Sequence, residues 1–130
     1  MYRWVDHTAE IELEIEAPTE REVLADALMA LAELLGFAVG VGDERREVAA
    51  SAPDRAALLA AWLEELVLLA ESEGFVATRL DDLALAGESL TALVSGVLGD
   101  PPALVKAVTY HRLEFAFTAR GYRGRVVLDV

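Results

Sequence analysis

Three features of the 130-residue sequence predict an α+β fold. The expected form is a two-layer sandwich, with two amphipathic helices packed on one face of a mostly antiparallel or mixed sheet of about six strands. The first feature is strict alternation: Ile11, Leu13 and Ile15 are set between Glu10, Glu12, Glu14 and Glu16, as in a strand with one buried and one wet face. The second is a pair of long segments with apolar residues at helical spacing. The third is a set of β-like segments that reverse at glycines, as hairpins do.

Taken in order, the alternating strand gives way at Pro18 to Thr19-Glu20-Arg21-Glu22, where Thr19 and Glu22 have the spacing of a capping box. Leu24, Leu28, Leu31 and Leu35 then recur on one helical stripe, and Gly36 suits the helix end. Arg45 to Ser51 reads as a short strand. A second helix is expected from Asp54 as N-cap, through Leu58, Leu59, Trp62, Leu63, Leu66 and Leu69, to Gly74. Phe75 to Ala86 and Glu88 to Leu98 form a hairpin turning at Gly87, and Gly99 to Pro102 a loop. Val105 to Ala119 and Gly124 to Val130 form a last hairpin around Gly121.

Composition narrows the class. A chain of 130 residues fits one domain, residues 1–130, and no internal repeat or linker divides it. Hydrophobic residues make up 55% and charged residues 26%, which excludes disorder. The absence of cysteine excludes a disulfide scaffold, a thiolate metal site and thiol catalysis, and fits a reducing, cytoplasmic setting. No signal-like run opens the sequence. The most apolar stretch, Leu58 to Ala70, is broken by Glu64 and Glu65 and is too short to span a bilayer, so no membrane association is expected.

The net charge of −12 argues against direct nucleic-acid binding, which depends on Lys and Arg neutralising phosphates. The charge is uneven. Residues 106–130 hold 5 basic and 2 acidic side chains, so a basic end is joined to an acidic body.

Several chemical motifs fail on spacing. Gly36, Gly40 and Gly42 lack the Lys-Ser/Thr pair of a phosphate loop, and a helix precedes them where a dinucleotide site needs a strand; they read as a cap and loop. No serine sits in a nucleophile elbow. Asp6-His7-Thr8-Ala9-Glu10 is more suggestive, with two carboxylates and an imidazole in five residues. On an extended chain Asp6, Thr8 and Glu10 share one face, opposite His7, and such a set can begin an oxygen site for Ca²⁺ or Mg²⁺. The plainer reading makes Asp6 and Thr8 turn residues and Glu10 the first wet residue of the strand.

At the other end, Asp129 and the α-carboxylate of Val130 follow an apolar strand. If the first and last strands are neighbours, Glu10, Asp129 and the Val130 terminus converge, and a cation would relieve their repulsion. In Lys106-Ala107-Val108-Thr109-Tyr110-His111, alternation puts Lys106, Val108 and Tyr110 on one face and Ala107, Thr109 and His111 on the other. His111 reads as a partly buried strand residue before it reads as an acid–base group or ligand.

Together, Asp6-His7-Thr8-Ala9-Glu10, Lys106-Ala107-Val108-Thr109-Tyr110-His111 and Val127-Leu128-Asp129-Val130 resemble the archease family over the whole chain. The resemblance implies a protein cofactor, not an enzyme. Its partner would be the GTP-dependent tRNA-splicing RNA ligase, whose guanylylation and multiple turnover it would promote in a chaperone-like way. It also implies a divalent cation, calcium foremost and magnesium as the alternative, held by Glu10, Asp129 and Val130, with Asp6 nearby. His7, Thr8, Lys106 and His111 would stand behind these ligands or face the partner. The family motif usually carries Asp where this chain has Glu10, which sets the carboxylate one methylene further out. Two other readings use the same residues: a small metal-dependent hydrolase or phosphotransfer enzyme, and an acidic protein-binding module without metal.

Overall fold

A computed structural model describes residues 1–7, 10–38, 40–99, 101 and 105–130, with the backbone alone for His7. Along the chain these form β1 (Tyr2–His7), β2 (Glu10–Ala17), α1 (Glu20–Leu34), β3 (Glu44–Ser51) and α2 (Arg55–Glu73). There follow β4 (Phe75–Ala86), β5 (Ser89–Leu98), β6 (Ala107–Thr118) and β7 (Gly121–Asp129). The α+β class is as the sequence predicts, and both helices are where it puts them.

The helix ends follow local chemistry. The Thr19 hydroxyl accepts the Glu22 N–H at 3.1 Å, and the Asp54 carboxylate accepts the Ala57 N–H at 2.8 Å, each satisfying one N-terminal donor that has no partner inside the helix. At the end of α1 the N–H of Gly36 reaches Glu33 and that of Phe37 reaches Ala32, the paired bonds of a Schellman motif. Gly74 closes α2 with φ of 66°, a left-handed conformation that glycine adopts without steric cost.

The strands differ from expectation in two ways. Among the described residues there are seven, because Tyr2–His7 adds β1; and they form two sheets, ordered β1-β2-β7-β6 and β3-β5-β4, in which every pairing is antiparallel. One core lies between helices and sheets. The predicted α1 stripe Leu24, Leu28, Leu31 and Leu35 is buried in it, with Leu13 and Ile15 of β2 and Val126 and Leu128 of β7. Each such leucine contributes about 2 kcal/mol by leaving water. Trp62 of α2 is fully buried, and its indole N–H donates to the Leu24 carbonyl at 2.9 Å, so the largest core side chain also ties the helices together.

Register shifts in β4 leave Thr78 and Asp81 without cross-strand partners, and bulges of this kind re-aim side chains. Thr78 donates to the Val41 carbonyl, and Asp81 accepts from the buried Ser95 hydroxyl. The Gly40–Gly42 segment is thereby held against the smaller sheet, as a loop and not a phosphate cradle. At Gly42 φ is 107° and a Cβ would strike the Gly96 backbone, so glycine is required there. Among the described residues no helix is long and apolar enough to cross a membrane.

Candidate metal centre

The pairing of β2 with β7 is dictated by their apolar residues. Leu13 stands opposite Val126 and Ile11 opposite Leu128, all turned toward the core; a slip of one residue would expose the whole set. The same register puts Glu10 directly opposite Asp129. Cross-strand partners share a face, so the two carboxylates stand together on the side away from the helices, both half-buried. Directly opposed residues in an antiparallel pair have Cα atoms about 4.5–5.5 Å apart.

Asp6 does not join them. The chain reverses between His7 and Glu10, so His7 pairs with Glu10 and Asp6 pairs with Ile11, on the core-facing side. The expectation that Asp6 and Glu10 share a face assumed one extended run, and the hairpin inverts it. Thr8 lies outside the described residues. Lys106 adjoins the pair from the other flank: its N–H donates to the Asp129 carbonyl at 2.8 Å, and Ala107 is Asp129's partner on β6. The lysine side chain is exposed, and Val130 follows Asp129 directly, 43% exposed.

The basic side chains on this sheet are engaged elsewhere. Arg3 binds both oxygens of Glu14 at 3.1 Å and holds that carboxyl below its ordinary pKa. Arg123 and Arg125 flank Glu114 at 3.4 and 3.9 Å. Arg112 reaches Glu12 at 3.4 Å. Like charges directly opposed across strands destabilise the pair, and hard carboxylate oxygens are the donors that Ca²⁺ and Mg²⁺ take. In kind, then, the residues present fit such a cation. In number they are few: among the described residues no group of three or more His, Asp or Glu is arranged to hold a metal. The remaining donors would have to be main-chain oxygens, water or another molecule.

Alternation along β6 holds only as far as Thr109. Thr109 pairs with Val127 but Glu114 with Arg125, so the intervening residues bulge out of the ladder. His111 is exposed within that bulge, not partly buried as strand periodicity suggests, because it is no longer in the pleat. Sequence reasoning also missed Glu12 and Arg112. The period of two places Glu12 on the wet face, yet it is only 2% exposed, and Arg112 adopts φ of 58°, the one positive value on a non-glycine residue among those described. The Arg112 carbonyl is held by Arg125 Nε at 2.8 Å. No periodicity signals a bulge of this size.

The family model of the archease proteins matches residues 2–130. An archease of Methanosarcina barkeri is 35% identical, with 99% of this chain and 95% of that protein covered. One of Archaeoglobus fulgidus is 31% identical, with 99% and 98% covered. Among solved structures, an archease from Thermotoga maritima described as a possible chaperone superposes with a TM-score of 0.72 at 23% identity, covering 100% of this chain and 98% of that one. At that identity the likeness speaks for the fold. With the sequence matches, it establishes that this chain belongs to the archease family.

Proposed function

We propose that this chain is a chaperone-like accessory protein that activates the GTP-dependent tRNA-splicing RNA ligase in the cytoplasm, using a cation-binding carboxylate pair. Membership of the archease family and the description of the Thermotoga relative as a possible chaperone support an accessory role. The observation that carries the site is the direct opposition of Glu10 and Asp129 on the sheet face away from the helices.

In this reading Glu10 and Asp129 hold a divalent cation, calcium foremost, with main-chain oxygens of Val130 completing the protein's share. Bound there, the cation would supply positive charge for phosphate oxygens at the partner's nucleotide site. The β2–β7 ladder fixes the separation of the two carboxylates, so little ordering entropy remains to be lost on binding. Lys106, and His7 at the register position next to Glu10, flank the pair where a partner would approach.

The test is ligation of 2′,3′-cyclic-phosphate and 5′-hydroxyl RNA ends at limiting ligase, with and without this protein. The wild type should raise both guanylylated ligase and turnovers per ligase, and Asp129→Ala should not, with its far-UV circular dichroism unchanged. Full stimulation by the variant would overturn the site. Turnover of a phosphoester by the isolated protein would overturn the accessory role.

A further inference from the structure

The smaller sheet ends at β3 and the larger at β6, so each presents a strand edge with no further strand beside it among the described residues. A groove of about 650 Å³ lies beside them, lined by the end of β3, by Ser89–Thr91 of its neighbour β5 and by Tyr110 of β6. α2 lines it at Ala57 and Ala61, and β3 from Ala49 to Ser51. A second hollow of about 440 Å³ shares Glu64 and Glu65 and runs on past Leu68 and Glu71 to Lys106–Val108.

Exposed edges are ordinarily kept from pairing by charge. The first half of β3, Glu44-Arg45-Arg46-Glu47, is protected in that way; the second half, Val48-Ala49-Ala50-Ser51, is not. Small side chains on both β3 and α2 leave room for another backbone. Leu68 and Tyr110 are 53% and 59% exposed along the same track, more apolar surface than an idle edge needs. The charge is one-sided: Glu64, Glu65 and Glu71 against Lys106. The Tyr110 phenol lines the same groove as the Glu64 and Glu65 carboxylates, which an incoming cationic side chain would meet there.

We infer that this groove takes an extended segment of a partner protein as an added strand on β3, with Lys or Arg at alternate positions meeting Glu64, Glu65 and Glu71, and small or branched apolar residues between them. Backbone hydrogen bonds to the open edge supply affinity, and the acidic wall selects sequence. The inference is independent of the cation site, because no groove residue is one of its ligands.

The probe is a capped peptide of about ten residues, a long strand, alternating arginine and valine. A second peptide has the same side chains with alternate backbone nitrogens methylated, which keeps the charge and removes the ladder donors. At about 150 mM salt, where long-range attraction is screened, the first should shift amide resonances of Ala49–Ser51 and the groove side of α2. The methylated peptide should bind about tenfold or more weakly, a difference of about 1.4 kcal/mol. Glu64→Lys with Glu65→Lys should weaken binding to a similar degree. Glu16→Lys with Asp43→Lys, the same charge change away from the groove, should weaken it little. Equal binding of the two peptides, equal loss in both double variants, or shifts outside the groove would overturn the proposal. Circular dichroism of each variant checks its fold.

Discussion

Arg112, in a left-handed backbone conformation on β6, places its guanidinium 3.4 Å from the carboxylate of Glu12, which is nearly sealed from solvent on β2. The strain of that conformation, about 1 kcal/mol or more for a side chain of this size, persists because the bulge is held at both ends of the residue. Arg112→Ala should therefore destabilise the fold by about 1–3 kcal/mol, since a buried carboxylate loses a cationic partner while the strain remains. Arg112→Gly should cost less, because glycine adopts the same φ freely. Urea unfolding of both variants checks the order; a more stable alanine variant would contradict it.

The proposed cation site at Glu10 and Asp129 predicts a stability that depends on divalent cations. Calcium at about a hundred times its dissociation constant should stabilise the wild type by about 2.7 kcal/mol, raising Tm by several degrees. Asp129→Asn should abolish most of that shift. In chelator the order reverses: the asparagine variant should be at least as stable as the wild type, because a repulsion has been removed. Thermal melts with calcium and with chelator test both halves, and a Tm indifferent to calcium would contradict the first.

Asp81 gives stability a defined acid dependence. The Ser95 hydroxyl, and secondarily the Arg79 guanidinium at 2.7 Å, hold its carboxyl below the usual aspartate value of about 3.9. As pH falls the unfolded chain takes up this proton first, so the stabilisation is complete above the unfolded value and is lost as pH drops through the folded one. Ser95→Ala should raise the Asp81 pKa toward the unfolded value and shrink the loss of stability between about pH 4 and pH 2. Carboxyl NMR titration reads the first effect and urea unfolding across pH the second; an unmoved Asp81 would contradict the assignment.

Gly96 on β5 lies where a Cβ would collide with the Val76 carbonyl of β4. Gly96→Ala should cost about 1–3 kcal/mol by forcing the two strands apart beside the bulges. A neutral effect in chemical unfolding would show that the β4–β5 ladder yields more readily than its packing implies.

The legible parts of the molecule were the local ones. Thr19, Asp54 and Gly74 marked helix ends because capping involves residues within one turn. Ile11, Leu13 and Ile15 marked β2 because period two needs only a buried face. β1 carried the same signal in Tyr2 and Trp4, which pack on the core, but six residues offered too few repeats to stand out. The division into two sheets was not legible, since strand partnership depends on residues far apart in sequence. For the same reason the residues at the candidate centre could be named while the opposition of Glu10 and Asp129 stayed conditional on which strands are neighbours. Asp6 was misplaced by a hairpin, and His111 by a bulge.

The larger sheet takes β1 and β2 from the start of the chain and β6 and β7 from residues 107–129, with β3, β4, β5 and α2 lying between them in sequence. Glu10 and Asp129 meet across more than a hundred intervening residues. During synthesis on a ribosome, β1 and β2 form a hairpin with an unsatisfied inner edge until residue 129 has cleared the exit tunnel. Contacts of such long range are costly to close and slow to form. The smaller sheet with α2 has every strand partner available by residue 98, so order should appear there first, and the carboxylate pair should be among the last features of the nascent protein to exist.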